Sequence, residues 1–338
     1  MASVTIREVA DLAGVSIKTV SRILNDEPYV TEITRKKVND AIQQLGYVAS
    51  MPARRLASGQ SYTIGLIFHN ASWHYIQDVQ MNVMETANKY GYSVLLHPCD
   101  ITNQNHAHEI MNMVHQKQVD GFIFTPPSDN ASELIQKLKV MQFPFVRLTP
   151  MDRESQLPFV TATDYQGALD MTKYLIELGH KRIAYVIGPQ EQRAAHDRFA
   201  GYKDALLSAG YLFDPETMIQ GDDHFESGYA ASMSLISLDD RPTAIFCNND
   251  EMAAGAMSAV FETGMNVPKD ISIAGFDNIP LSKQVWPPLT TVDQPIAKIA
   301  KKATKHLVAL LRGEELECLH CEIPTRLVIR KSTAQNFH

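Results

Sequence analysis

Two short amphipathic segments joined by a glycine lie near the start of this chain, and they constrain its fold more than any other feature. Thr5 and Glu8 have the spacing of a capping box, which starts a helix. Apolar residues then recur on one helical face until Gly14, where a positive φ costs little. Ser16 can cap a second helix that also has one apolar face. The pattern predicts a helix-turn-helix.

The outward face of the second helix carries side chains of the kinds that contact DNA. Arg and Lys bind guanine edges or phosphates, Ser and Thr bind either, and isoleucine contacts the thymine methyl group. A neutral pair of packed helices would explain the glycine turn, but not the cap and the polar face together. We therefore predict that this helix contacts DNA through Ser16, Ile17, Lys18, Thr19, Ser21 and Arg22.

The stretch from Thr5 to Asn25 resembles the DNA-binding headpiece of the lactose/galactose repressor (LacI/GalR) family of bacterial transcription factors. It matches every position of the family pattern T-I-x-x-V-A-x-x-A-G-V-S-x-x-T-V-S-R-x-L-N. The resemblance implies a third helix from about Glu32 to Leu45, with Thr31 as its cap. The inward side of this helix and the tyrosine after it are expected to close the small core through Ile33, Val38, Ala41, Ile42, Leu45 and Tyr47.

The run from Met51 to Ser58 resembles the family's hinge, which becomes a helix only on DNA. In this interpretation Ala53 and Leu56 enter the minor groove, where Leu56 unstacks a base step, while Arg54 and Arg55 lie close to phosphates. A plain linker is the alternative, since the proline and serine of the run also suit one. The resemblance assigns further DNA contacts to Thr5, Asn25, Tyr29, Thr31, Tyr47 and Ala53.

The formal charge of the whole chain, −7, argues against a nucleic-acid partner, but the charge is not evenly distributed along the chain. Residues 1–60 hold eight Lys and Arg against six Asp and Glu, whereas the remainder holds 23 against 32. The positive charge is thus concentrated in the small module that would meet phosphates.

We see neither a secretory signal nor an apolar run near the roughly 20 residues of a membrane span. Four cysteines are too few for a disulfide framework, and we expect a soluble cytoplasmic protein without a cofactor.

From Tyr62 onward, short apolar runs alternate with helical segments in two successive series that divide near Thr163. Apolar strands alternating with helices indicate parallel sheets covered on both faces. Two such series predict two similar lobes, with a ligand between them at the carboxyl ends of the strands. The predicted fold class is an all-α helix-turn-helix headpiece plus an α/β effector domain of two similar parallel-sheet lobes.

The order of these elements resembles the family's effector domain, which has the type I periplasmic-binding-protein fold. Specific similarities include CNNDEMAAGAM, which starts at Cys247, and LTTVDQP, which starts at Leu289. The resemblance implies three crossings between the lobes, near Thr161–Thr163, Thr291–Asp293 and Glu322–Pro324. The expected domains are a headpiece over 1–49, a hinge over 50–60 and an effector-binding and dimerisation domain over 61–338. The expected lobes are 61–162 with 292–323, and 163–291 with 324–338.

The resemblance also implies an effector site in the loops that follow the strands. Arg198, Asn249 and Asp277 stand where family members hold their effector. An Arg donates in a fork, and an Asp accepts from paired hydroxyls. Because Asn and Asp after a strand often cap the next helix, capping is the alternative for these positions.

Other candidate effector contacts depart from the family's usual residues. In the first lobe Asn70 can bond a hydroxyl, and Trp73 or Tyr75 can stack on a sugar ring; surface packing is the alternative for Trp73. In the second lobe a position that is often aromatic corresponds to Asp223, His224 or Phe225. Arg147, near a strand end, can meet an acidic effector group or pair with a carboxylate at a subunit interface, and we favour the interface.

Together these features predict a homodimeric repressor of a sugar-catabolism operon, which binds a palindromic operator and responds to a sugar or glycoside. The absence of leucine heptads favours a dimer over a tetramer. A purine-type co-repressor is the alternative effector, and a sugar-binding protein without a regulatory role is the alternative class. With no P-loop and no G-x-S-x-G motif, an enzyme is not expected.

Metal binding is likewise not expected. Cys318 and Cys321 form one C-x-x-C, but a zinc site would need a second ligand pair at a suitable spacing. We expect this segment to supply a strand near the third crossing instead.

Overall fold

The computed structural model describes residues 4–24, 29–47, 55, 58–69, 73–100, 103, 105–128, 132–153, 156–212 and 214–337. The chain divides into two compact units, Met1–Ser61 and Tyr62–His338. Most of the expected hinge, including Ala53, Arg54 and Leu56, lies outside the described residues, as do Asn25 and Asn70.

The first unit contains the predicted helix-turn-helix and third helix, as α1 (Ile6–Ala13), α2 (Ile17–Leu24) and α3 (Glu32–Leu45). The capping box of α1 is present, since Glu8 N donates to Thr5 Oγ1 and Thr5 N donates to the Glu8 carboxylate at 2.7 Å. Gly14 ends α1 with a φ of 66°. Thr19 N donates to Ser16 Oγ, so that Ser16 caps α2 as expected. Local signals therefore define this unit.

Three valines, one from each helix, form the fully buried centre of the small core: Val9, Val20 and Val38. Tyr47 packs against this cluster, as expected. The expectation for Ile33 is wrong, because its side chain is 73% exposed. Ile33 precedes Val38 by five residues, which places it well off the inward face of a helix with 3.6 residues per turn. Thr34, four residues before Val38, takes the inward position and is half-buried.

The second unit contains the two predicted parallel sheets. The first lobe has a six-stranded sheet in the order β11-β5-β4-β3-β1-β2, and all its pairings are parallel. Its strands are β1 (Thr63–Phe68), β2 (Ser93–Pro98), β3 (Gly121–Phe124), β4 (Phe145–Leu148), β5 (Phe159–Ala162) and β11 (His320–Ile323). Its helices are α4 (Trp73–Lys89), α5 (His106–His115), α6 (Ser132–Val140) and α12 (Ile296–Arg312).

The second lobe has a smaller, four-stranded parallel sheet in the order β7-β6-β8-β9. Its strands are β6 (Ile183–Ile187), β7 (Met218–Gln220), β8 (Ala244–Cys247) and β9 (Ser272–Ala274). Its helices are α7 (Asp164–Glu177), α8 (Arg193–Ser208), α9 (Phe225–Ile236), α10 (Asp250–Glu262) and the short α11 (Leu281–Gln284). A 3₁₀ turn, Pro215–Thr217, precedes β7.

Side chains of β6 alternate between two apolar layers, as a strand buried on both faces requires. Ala184 and Val186 pack with α9 and α10, whereas Ile183 and Tyr185 pack with α7 and α8. The sheet is therefore covered on both sides, and functional side chains are left to its carboxyl edge.

The chain passes between the lobes after β5, through β10 (Thr291–Asp293), and between β11 and β12 (Arg326–Val328). Strands β10 and β12 pair antiparallel, with Thr291 opposite Val328. The first and third crossings are joined by Thr163 and Thr325, whose hydroxyls lie 3.1 Å apart. Thr325 N also donates to Thr163 Oγ1 at 2.9 Å. The three crossings are thus held side by side.

Helices α9 and α10 pack closely because each carries a glycine at the contact. A Cβ atom on Gly255 would lie 2.1 Å from Phe225 O, and one on Gly228 would lie 2.2 Å from Met252 O. Both clashes involve backbone atoms, so neither can be relieved by turning a side chain.

We therefore expect Gly255→Ala to lower the free energy of unfolding of the second unit by about 1–3 kcal/mol, because overpacking forces the two helices apart. Urea unfolding followed by circular dichroism measures this. Ala230→Ser, at an exposed position of α9, is the control and should change stability by less than about 0.5 kcal/mol. Equal stability of the two variants would show that the helix contact is not close.

Candidate functional site

A cleft between the two lobes is lined by residues that follow strands of both sheets. Those of the first lobe come after β1, β3 and β4, those of the second lobe come after β6, β7, β8 and β9, and Gln294 follows β10 at the second crossing. This is where open parallel sheets bind ligands. The lining residues are Tyr75, Pro126, Thr149, Gln192, Ala194, Arg198, Asp223, Asn249, Asp277 and Gln294.

The guanidinium of Arg198, on α8, joins three separate segments of the second lobe. Its Nε donates to Asp164 Oδ1 at 2.9 Å and its Nη2 to Asp277 Oδ1 at 3.0 Å. Its Nη1 donates to the carbonyl of Asn248 at 2.6 Å. The side chain is 5% exposed, so these bonds replace the water that a buried charge requires.

Two further groups hold this guanidinium in one orientation. Its central carbon lies 3.8 Å from the centre of the Phe276 ring, within cation–π distance. With its oxygen toward Arg198, the Gln294 amide accepts from Nη2 at 3.3 Å and donates to Asp277 Oδ1 at 3.2 Å. Arg198 is therefore a preorganised donor at the edge of the cleft.

Carboxylates outnumber the one buried guanidinium around this point. Burial raises the pKa of Asp277 to about 7, although Arg198 opposes the shift. Burial also raises the pKa values of Asp164 and Asp223, again against the attraction of Arg198. Burial alone would lower the pKa of Arg198, but Asp277 and Asp164 raise it overall. Arg198 is thus charged, and the carboxyl groups hold protons more tightly than usual.

Asp223 and Asn249 form a second polar group in the cleft. Asp223 adopts a φ of 70°, and its carboxylate accepts from Asn248 Nδ2 at 2.8 Å. Asn249 donates to the carbonyl of Asp223 at 2.8 Å and caps α10 by accepting from Met252 N. Asn249 therefore caps a helix, as the alternative interpretation held, and it also lines the cleft.

An ion pair and a histidine–carboxylate contact lie across the cleft. Arg153, between β4 and β5, lies 2.6 Å from Asp197 of α8. His74 of α4 lies 3.6 Å from Glu251 of α10. Each joins a residue of the first lobe to one of the second, so the relative position of the lobes decides whether the pair forms.

Sequence reasoning placed several of these residues and missed others. Tyr75, Arg198, Asp223, Asn249 and Asp277 line the cleft. Sequence reasoning missed Asp164, Arg153, Thr149, Gln192 and Gln294, and the first four have no signal of their own in the sequence. Gln294 stands in the LTTVDQP segment directly after the second crossing, and that position is the signal that points to it.

Trp73 and Phe225 lie elsewhere, at the first residues of α4 and α9. Their side chains are 67% and 40% exposed, and neither lines the cleft. Arg147 is buried, and its Nη2 donates to the carbonyl of Asp152 at 3.3 Å.

In the first unit, the predicted DNA-contacting side chains of α2 lie at the surface or are half-buried. Ile17 is 42% exposed, Lys18 is exposed, and Thr19, Ser21 and Arg22 are half-buried. Tyr29 is 86% exposed. The hydroxyls of Thr5, Ser16 and Thr31 cap helices, Tyr47 is half-buried, and Arg55 is exposed.

In the part of the chain that the structure describes, none of the helices is both long enough and apolar enough to span a membrane.

Comparisons with known proteins agree with this architecture. Residues 5–50 match the family of bacterial regulatory proteins of the lacI type, and residues 172–333 match a periplasmic binding protein-like domain. Catabolite control protein A of Priestia megaterium is 37% identical over 333 residues, which cover 98% of this chain and 99% of that protein.

Solved structures are similar over the same length. The lac repressor dimer bound to operator and the anti-inducer ONPF is 29% identical, with a TM-score of 0.80, over 98% of this chain and 100% of that one. The complex of the transcriptional regulator CelR with cellobiose is 28% identical, with a TM-score of 0.74, over 97% of this chain and 99% of that one.

The fold and these comparisons define a DNA-binding transcriptional regulator with a periplasmic-binding-protein-like domain. The chain belongs to the lacI family of bacterial regulatory proteins.

The raised pKa of Asp277 predicts a specific pH dependence of stability. In the folded protein Asp277 keeps its proton up to about pH 7, whereas an unfolded Asp loses it near pH 4. Its contribution to stability is complete below about pH 4 and is lost as the pH rises through 7. The free energy of unfolding should therefore fall less steeply between these pH values in Asp277→Asn, by up to about 1.4 kcal/mol per pH unit.

Urea unfolding at several pH values measures this slope. Asp170→Asn, at an exposed position of α7, should keep the wild-type slope. If Asp277→Asn keeps it as well, Asp277 does not titrate in this range.

Proposed function

We propose that this protein represses a sugar-catabolism operon and that a sugar or glycoside in the cleft controls its affinity for DNA. The observation that carries the proposal is the contact between Arg198 and Asp277 at the carboxyl edge of the second sheet. It offers a fixed donor and a fixed acceptor side by side, which is what a ring with neighbouring hydroxyls requires.

The bonding of Arg198 favours a neutral effector. Asp164, the carbonyl of Asn248 and Asp277 already accept from its guanidinium, so that an anionic group such as a phosphate would find most of the N–H groups of this buried cation occupied. Arg198 and Gln294 both bond Oδ1 of Asp277, and we expect a sugar hydroxyl to reach Oδ2. The Tyr75 ring supplies a surface on which a sugar can stack.

The effector would act by changing the relative position of the lobes. The Arg153–Asp197 ion pair and the His74–Glu251 contact exist only when the lobes are close. A ligand that binds one arrangement more tightly shifts the population toward it. The hinge, residues 50–60, would transmit this difference to the DNA-binding unit.

DNA binding is assigned to α2, which would lie in the major groove, while Leu56 of the hinge would kink the centre of the operator from the minor groove. Two copies of the chain would bind a palindrome. Met81 and Met84, three residues apart on α4, are 61% and 39% exposed, and they provide an apolar surface for a second copy.

Arg22→Ala is expected to weaken binding to a DNA duplex that wild-type protein selects from a random library. Loss of one bidentate contact costs about 1–3 kcal/mol, or roughly 5- to 150-fold in affinity. Fluorescence anisotropy at constant salt measures it. Lys139→Ala, on α6 of the second unit, removes one positive charge elsewhere and should leave the affinity unchanged. Unchanged affinity of Arg22→Ala would contradict the assignment of α2.

Asp277→Ala is expected to abolish the response to an effector while sparing DNA binding, because the change removes a ligand acceptor and leaves the first unit intact. The test titrates the protein–DNA complex with neutral sugars, sugar phosphates and purines. Release of wild-type protein by a neutral sugar, but not of Asp277→Ala, supports the proposal. Tighter DNA binding with a purine, or release by sugar phosphates alone, would contradict it.

A further inference from the structure

Three ligating side chains converge at the edge of the first lobe, and none of them lines the cleft. His306 lies on α12, and Cys318 and Cys321 lie just before and within β11. His306 Nε2 is 3.6 Å from Cys321 Sγ and 3.9 Å from Cys318 Sγ. The three ligand atoms all lie within 4.8 Å of one another. His306 and Cys321 are 3% and 6% exposed.

Two thiolates and an imidazole nitrogen are a donor set typical of zinc. In a tetrahedral site with Zn–S near 2.3 Å and Zn–N near 2.0–2.1 Å, nitrogen and sulfur ligands are about 3.6 Å apart. The observed nitrogen–sulfur separations are 3.6 and 3.9 Å, so His306 is already placed at ligand distance from both sulfurs. Two thiolates also balance the charge of a divalent ion, which matters where two of the three side chains are buried.

The two cysteines form a disulfide in this structure. A disulfide sulfur is not a thiolate, so metal binding requires the reduced pair. The C-x-x-C spacing is compatible with the disulfide and with metal binding by the reduced pair, because it also allows two thiolates to bind one metal ion.

We propose that, when Cys318 and Cys321 are reduced, they bind one Zn²⁺ ion together with His306, and that a water molecule completes the tetrahedron. The ion would join α12 to β11 directly before the third crossing between the lobes. It would thereby stabilise the edge strand of the first lobe. Zinc was not expected from the sequence, because the C-x-x-C has no second closely spaced ligand pair. The third ligand instead lies 12 residues before Cys318, across the end of a helix at Gly313.

The test uses the full-length protein, reduced and freed of metal, and titrates it with Co²⁺ as a spectroscopic probe and then with Zn²⁺. We expect one equivalent of Co²⁺ to give the thiolate charge-transfer and tetrahedral bands, and Zn²⁺ to displace it. Cys318→Ser, Cys321→Ser and His306→Gln should each weaken binding more than about a hundredfold, since even partners beyond the ligands cost 10–100-fold.

Cys247→Ser and Cys99→Ser are the controls, because both remove a buried free thiol outside the proposed site and should leave the Co²⁺ spectrum unchanged. Circular dichroism establishes that each variant is folded. Thiolate bands that persist in Cys321→Ser, or no bands with the reduced wild-type protein, would overturn the proposal. So would a Cys318–Cys321 disulfide that persists in a reducing glutathione buffer, because that pair could never supply thiolates.

Discussion

The buried guanidinium of Arg198 is the interaction on which the second lobe and the cleft depend. It binds Asp164 at the start of α7, the carbonyl of Asn248 after β8, and Asp277 after β9. A buried charge is tolerated only when its donors are satisfied, so these three segments are held at one point. The cleft therefore has its polar groups fixed before any ligand enters, which lowers the ordering cost of binding.

The groups bonded to Arg198 lie next to the crossings between the lobes. Asp164 follows Thr163, which bonds Thr325 of the third crossing, and Gln294 follows the second crossing strand. A ligand that binds Arg198 and Asp277 thus acts next to all three connections. The Arg153–Asp197 ion pair lies across the cleft, so any change in the relative position of the lobes would alter this charge contact.

The features that sequence reasoning predicted well depend on neighbours along the chain. The cap at Thr5, the turn at Gly14 and the inward valines of the first unit are separated by a few residues, and helix geometry relates them directly. The prediction for Ile33 was wrong because its spacing of five residues from Val38 does not fit the inward face of a helix with 3.6 residues per turn. The alternation of apolar strands and helices likewise predicts parallel sheets without any knowledge of long-range contacts.

By itself the sequence determined the helix-turn-helix, the two α/β lobes and the loops in which Arg198, Asn249 and Asp277 stand, because local periodicity, caps and strand ends specify these. Only the tertiary structure decided which side chains meet. Asp164 and Asp277 are more than a hundred residues apart, yet they share one guanidinium, and Arg153 reaches across the cleft to Asp197. His306 approaches Cys318 and Cys321 in the same way. The packing of helices on sheets produces such contacts, and no spacing along the chain encodes them.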